Sequence, residues 1–426
     1  MPGHRRKKRR LAAALIVLAP ILSARGLAAQ EADSIAPPGS DQAGVADAAP
    51  GLSHELTSSY AAEEVSIPTP AGHVLAGTLT RPFGATPPAT IGFGEDPLDA
   101  ELGSTGIPRD PQPAAPLTDP QASAGAAASA ARLPAMVLIS GSGPDNRDSA
   151  PRWMPGYQPF WQIADALTRR GVAVLRLDDR GVGSSTGEFN KATTGDFADD
   201  VRAALAYLRQ RPDLDGERLG IVGHSEGGVV AVMVAAEDPS LKALVLLATP
   251  GTNLRSIVAY QMRYWLERDP TIPFAARERA VVDQLARWDV VADANPRLKS
   301  SRIYDPIPAA KRISTPVLIL HGSSDRQVPP KHAEKLAKAL REGGNADVTL
   351  CLVPHVDHLF LQDKSGNPAE YVKLSSRRIP GGVLDELADW TASRLAGGGA
   401  TLAAGETSPP PGDPRSCAPD APHTGD

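Results

Sequence analysis

Apolar positions along this chain fall into two alternating kinds of run. Short, nearly unbroken stretches at 135–140, 172–177, 218–222, 243–248, 316–320 and 348–353 have the length and apolar character of strands covered on both faces. Stretches at 159–170, 196–210, 226–236, 331–341 and 383–395 read as helices. Alternation of this kind predicts an α/β class with a mostly parallel central sheet flanked by helices. Ahead of it, 64–68 and 73–79 read as two strands joined by a turn at Pro70-Ala71-Gly72. Between 251 and 311 the rhythm is lost. The amphipathic stretches 257–266 and 281–288 predict a helical cap inserted over the strand ends. Its Tyr260, Tyr264, Trp265 and Trp288 either line a pocket or pack the cap onto the body.

The same pattern marks what lies outside the fold. Residues 30–59 and 397–426 are rich in Ala, Pro, Gly and small polar residues, and read as a disordered leader and tail. Residues 84–132 form a Pro-rich, then Ala/Ser/Gly-rich, low-complexity insertion where a short connection is expected. That leaves 60–396 as one domain with ample material for a core.

The chain opens with Arg5-Arg6-Lys7-Lys8-Arg9-Arg10, an apolar run over 11–22 broken by Pro20, and small residues at Gly26-Leu27-Ala28-Ala29. This reads as a Sec-type secretory signal peptide over 1–29, cut near Ala28 or Ala29. The apolar run is shorter than the roughly 20 residues of a spanning helix, so no stable membrane anchor is expected after cleavage. The expectation is a secreted or periplasmic protein.

Charge sharpens this reading. The whole chain carries −5, but the leader takes seven basic residues and no acidic one with it. The remainder is more acidic than the total suggests, which argues against nucleic acid or an anionic membrane surface as partner. Two cysteines, Cys351 in an apolar strand and Cys417 in the tail, form no zinc pattern. Cys351 reads as a small buried hydrophobe, a bridge to Cys417 being the alternative in an oxidising compartment. No His/Asp/Glu cluster has metal spacing, and no cofactor is expected.

Candidate chemistry centres on Gly223-His224-Ser225-Glu226-Gly227-Gly228, directly after the apolar strand 218–222 and before the helical run from 226. Gly-x-Ser-x-Gly between a strand and a helix is the pattern of a nucleophile elbow, in which the serine sits at the apex of a strained turn. An acid and a histidine follow in order. Asp325 lies in the loop after strand 316–320, and His358 in the loop after strand 348–353. All three side chains would emerge at the carboxyl ends of parallel strands.

With Gly141-Ser142-Gly143-Pro144 and Asp178-Asp179-Arg180-Gly181-Val182-Gly183, these motifs make the chain resemble a bacterial α/β-hydrolase of the serine-esterase type, within the serine aminopeptidase/esterase-like group. The resemblance covers residues 62–83 and 133–396. It departs from the pattern at Asn146, where an acidic residue is expected. It implies an α/β-hydrolase fold and a Ser225–His358–Asp325 triad.

In such a site His358 would accept the Ser225 proton, and Asp325 would orient the imidazole. The backbone N–H groups of Ser142 and Glu226 would hold the oxyanion. His355 is the rival base and Asp357 the rival acid. His224 and His321 are read as structural, and the Glu226 side chain as a carboxylate favoured near a helix N-terminus. Arg180 is read as pairing with loop carboxylates, and Asp145, Arg147 and Asp148 as holding the oxyanion loop. The implied activity is hydrolysis of small to medium carboxylic esters through an acyl-enzyme. The alternatives are a peptidase or amidase, a thioesterase, or a binding protein on the same fold.

Overall fold

A computed structural model of the chain describes residues 60–83 and 132–396. The signal peptide and leader read over 1–59, all but the last residue of the 84–132 insertion, and the tail from 397 lie outside the described residues.

Eight strands form one sheet: β1 (Tyr60–Pro68), β2 (Val74–Pro82), β3 (Leu133–Ile139), β4 (Ala173–Leu177), β5 (Leu214–His224), β6 (Ala243–Leu247), β7 (Val317–Gly322) and β8 (Val348–Val353). Their order is β1-β2-β4-β3-β5-β6-β7-β8. The β1–β2 hairpin pairs antiparallel, β2 meets β4 antiparallel, and β3 to β8 run parallel. Ile221 of β5 lies between Val137 of β3 and Leu244 of β6, at the middle of the sheet.

Because side chains alternate across a strand, each parallel strand feeds two cores. Val137, Ile221, Leu244, Leu246, Val317 and Ile319 point to one face. There they meet α2 (Thr194–Gln210), α3 (Glu226–Ala235) and α8 (Lys331–Glu342). Leu138, Val222, Val245, Leu247, Leu318 and Leu320 point to the other. That face is covered by α1 (Pro159–Arg169) and α9 (Gly381–Leu395). Burial on both faces is why these strands read as apolar runs rather than alternating ones.

Between β6 and β7 the chain forms α4 (Leu254–Glu267), α5 (Arg277–Asp293), α6 (Pro296–Ile303) and α7 (Ile307–Ala310). These helices form the cap. It has a small core of its own in Val258, Met262, Leu285, Trp288 and Ala292. Among the described residues no helix is long and apolar enough to cross a membrane.

Two differences from the sequence reading have physical causes. Strand β5 begins at Leu214 rather than 218, because Leu133 pairs with Leu214 before the register shifts between Leu133 and Ala135. A bulge of this kind is invisible to hydrophobic pattern. Cys351 is buried as expected but takes part in a disulfide rather than standing as a free small hydrophobe. Cys417 lies outside the described residues.

The residues flanking 84–131 are placed near one another. Strand β2 runs past the amino end of β4 to Pro82, and β3 starts at Leu133 level with it. Both ends therefore sit at the sheet edge opposite the carboxyl ends of the parallel strands.

Candidate active site

Ser225 follows β5 with φ 53° and ψ −119°, a left-handed conformation that side chains resist. Its N–H donates to the Leu247 carbonyl at 2.8 Å, which pins the turn to β6. The sharpness of the turn brings α3 against the sheet. A Cβ on Gly223 would stand 2.5 Å from the Gly227 carbonyl oxygen, and one on Gly227 would strike the Ser140 carbonyl. Only glycine fits either place.

Three strand ends deliver three side chains to one point. His358, in the loop after β8, brings Nε2 to 3.1 Å from Ser225 Oγ and Nδ1 to 2.8 Å from Asp325 Oδ2. Asp325, in the loop after β7, is fully buried. Its other oxygen accepts the N–H groups of Gln327 at 2.8 Å and Val328 at 2.9 Å. Burial works against the charged carboxylate. The His358 and His321 rings outweigh it and hold Asp325 well below the usual carboxylate range. A carboxylate at Nδ1 fixes the proton there and leaves Nε2 to accept from the Ser225 hydroxyl.

The other histidines divide by position. His355 is exposed in a tight turn, with φ 57°. The His224 ring lies tilted beside that of His358, ring centres 5.0 Å apart, and its Nε2–H donates to the His358 carbonyl at 3.0 Å. Burial, with His358 beside it, pushes its pKa down to about 3, so it is a neutral brace. His321 is fully buried, donating to the Val328 carbonyl at 2.7 Å and lying 3.3 Å from Asp325. It props the acid loop. Asp357 is buried too, but its Oδ1 accepts the Leu359 and Leu361 N–H groups, both at 2.9 Å, and not His358.

The amides expected to hold an oxyanion flank the serine. Ser142 and Glu226 both line the cavity that Ser225 and His358 open onto. Among the described residues neither backbone N–H donates to a protein acceptor. Arg147 holds the loop beyond Pro144. Its guanidinium reaches both oxygens of Asp178, at 3.2 and 2.8 Å, and also pairs with Glu64. Asp148 pairs with Arg176. Asn146 Oδ1 accepts the N–H groups of Asp148 and Ala150, so it shapes this loop without a negative charge.

Asp179 accepts from Ser140 Oγ and from the Asp145 N–H. Burial raises Asp179 to about 8 and Asp145 to about 6. Arg180 does not pair with loop side chains as expected. Its guanidinium grips Asp200 of α2 at 2.7 and 2.8 Å, with His73 on the same carboxylate at 2.8 Å.

The cavity has a volume of about 780 Å3. Its walls include Trp153, Tyr157, Phe160 and Phe360 from the body, and Ile257 and Tyr304 from the cap region. Tyr260, Tyr264, Trp265 and Trp288 do not line it. Trp288 fills the cap core, Trp265 packs on that core, and Tyr260 lies beside Tyr264.

The Glu226 side chain does more than the sequence reading expected. Its carboxylate accepts from Ser142 Oγ at 2.8 Å, Arg297 Nη1 at 3.0 Å and Ser301 Oγ at 2.6 Å. Arg297 and Ser301 carry no signal in sequence, since nothing local links them to a residue some 70 positions earlier.

Comparison with known proteins finds several similar chains. Esterase EstD of Thermotoga maritima is 26% identical over 265 residues, 61% of this chain and 62% of EstD. The acylamino-acid-releasing enzyme of Rattus norvegicus is 24% identical over 235 residues, 52% of this chain and 30% of that enzyme. The chain thus spans less than two-thirds of the length of either relative. Among solved structures, an esterase of Pyrococcus furiosus aligns over 71% of this chain and 84% of its own, with 17% identity and a TM-score of 0.45. The sequence model of the prolyl oligopeptidase family matches residues 159–375, half of the chain, from α1 past the loop that carries His358. This chain has an α/β-hydrolase fold and belongs to the prolyl oligopeptidase family.

Proposed function

We propose that the protein hydrolyses small to medium carboxylic esters through an acyl-enzyme on Ser225. The observation that carries this reading is the hydrogen-bonded chain from Ser225 Oγ through His358 to Asp325, at 3.1 and 2.8 Å, opening onto a largely apolar cavity. His358 takes the serine proton as Oγ attacks the ester carbonyl. The tetrahedral oxyanion is met by the N–H groups of Ser142 and Glu226, each worth about 3 kcal/mol of barrier. His358 then protonates the departing alkoxide, and a water activated by the same ring releases the acid. A cavity of about 780 Å3 lies within the roughly 300–1,000 Å3 of small-molecule sites. EstD, named an esterase, supports the ester reading.

Membership of a peptidase family, and the likeness to an acylamino-acid-releasing enzyme, favour a second reading, cleavage of an amide by the same machinery. The first test is labelling with a fluorophosphonate probe, wild type beside Ser225→Ala. A covalent adduct on Ser225 that the variant lacks is expected. Failure to label folded wild-type protein overturns the hydrolase reading. Matched ester and anilide substrates of one acyl group then separate the two readings. Export is part of the proposal. Protein recovered from a secreting host should begin near residue 29 or 30, and an intact leader on exported protein would refute the signal-peptide reading.

A further inference from the structure

We propose that the side chain of Glu226 is a positioning residue that couples the helical cap to the oxyanion site. The inference rests on the serine-hydrolase reading above and deepens it. One carboxylate joins three parts of the molecule. Its own backbone N–H is one of the two oxyanion candidates. Oε2 accepts from the hydroxyl of Ser142, the residue that carries the other. Oε2 also accepts from Arg297, and Oε1 from Ser301, both on cap helix α6. The Glu226–Arg297 pair is only 16% and 14% exposed, so screening by water is weak.

Helix α6 is itself held in place. Ser300 Oγ accepts the Thr194 N–H at 2.9 Å, Ser301 Oγ lies 3.0 Å from Thr194 Oγ1, and the Arg297 guanidinium sits over the Phe189 ring at 5.3 Å. The cap side therefore presents two fixed donors to the carboxylate, and the carboxylate presents one fixed acceptor to Ser142. Were the cap to lift, Glu226 would lose two of its three side-chain donors. It would then be free to swing toward water and release Ser142. The two amides are held at the spacing an oxyanion needs only while the cap is seated. Oxyanion stabilisation requires such fixed dipoles, and a misplacement of about 1 Å costs on the order of 100-fold.

The variants that test this act from opposite ends. Arg297→Ala and Ser301→Ala act from the cap side, and each also removes a contact that holds α6 to the body. Glu226→Ala removes the joint, and Glu226→Gln keeps its size and polarity. Arg255→Ala breaks an exposed cap ion pair with Asp289 and serves as control. Arg297→Ala is expected to lower kcat about tenfold and Glu226→Ala about 10- to 100-fold, with KM within about threefold. Glu226→Gln should recover most of the loss. The double variant Glu226→Ala/Arg297→Ala should be no slower than Glu226→Ala, since both break one linkage. Affinity for an alkylboronic acid, which forms a tetrahedral adduct on serine, should fall in step with kcat.

Hydrogen exchange supplies a readout that needs no turnover. Amides of 140–145 should exchange faster in Arg297→Ala and not in Arg255→Ala. Unchanged kcat in Arg297→Ala, a rise in KM alone, multiplicative effects in the double variant, or unchanged exchange over 140–145 would each overturn the coupling. Wild-type protein that neither labels nor turns over ester would instead overturn the hydrolase reading, leaving the exchange result to judge the coupling.

Discussion

At position 225 the backbone adopts angles that a serine tolerates only when the surroundings enforce them, here the Leu247 carbonyl and the glycines of the elbow. The imidazole that faces it is identified by position alone. His358→Ala should remove nearly all esterase turnover, and His355→Ala should leave kcat/KM within about twofold, because His355 is exposed and away from the serine. Steady-state kinetics of the two purified variants decide this, and a dead His355→Ala would reassign the base.

A second residue-scale consequence concerns Asp357, which burial raises to about 8 from an ordinary 3.8. The folded chain keeps this proton while the unfolded chain has already lost it, so this group makes stability fall as pH rises from about 4 to about 8. Asp357→Asn should lessen that slope, leaving the part that Asp179 and Asp145, also raised by burial, contribute. Melting temperatures across the range would show it, and an unchanged slope would mean that Asp357 holds no extra proton in the folded chain. Ser225, Asp325 and His358, which the structure brings together, were legible as candidates because each lies within a few residues of the end of an apolar run. The Glu226–Arg297–Ser301 linkage was not, because it depends on how α6 docks.

Element boundaries follow local chemistry where it is strong. Helix α2 begins at a capping box, in which the Thr193 hydroxyl accepts the Asp196 N–H and the Asp196 carboxylate accepts the Thr193 N–H. Thr193→Ala should cost about 1 kcal/mol of stability, measured by urea unfolding, with the Michaelis parameters unchanged. The helices and strands of the body were legible in outline because each buries a regular face. The cap was legible as an interruption of rhythm, but not in its packing. Its aromatic side chains could serve pocket or core equally well by pattern. The structure sends Trp288 inward and leaves the cavity wall to Ile257 and Tyr304, a choice set by how α4, α5 and α6 close on one another.

Across the whole molecule, the hairpin of β1 and β2 is tied to the parallel sheet by a buried charge network. Asp213 accepts from Arg81 at 2.7 Å and from Arg211 at 2.9 and 3.0 Å, and Arg211 also pairs with Glu63 of β1. Burial opposes the Asp213 charge, but Arg211 and Arg81 hold its pKa below the ordinary value. Its contribution is therefore present at neutral pH and lost in acid, as pH falls through that lowered value. Asp213→Ala would leave two buried arginines sharing Glu63, at a cost of about 3 kcal/mol at pH 7. Thermal unfolding of wild type and variant would measure it. Nothing in the sequence announces this network, since its members are separated by up to about 150 positions and meet only through sheet order.

The placement of Phe83 and Arg132, which flank residues 84–131, has a practical side. Strands β2 and β3, from which they continue, flank the single strand β4, a spacing of about 10 Å. Replacing 84–131 with a Gly/Ser bridge of about ten residues should leave kcat/KM within about twofold and the melting point unchanged. The same position is a natural graft point. A reporter domain or surface tether spliced there would hold the molecule by its underside, so that every immobilised copy presents its mouth to the solution.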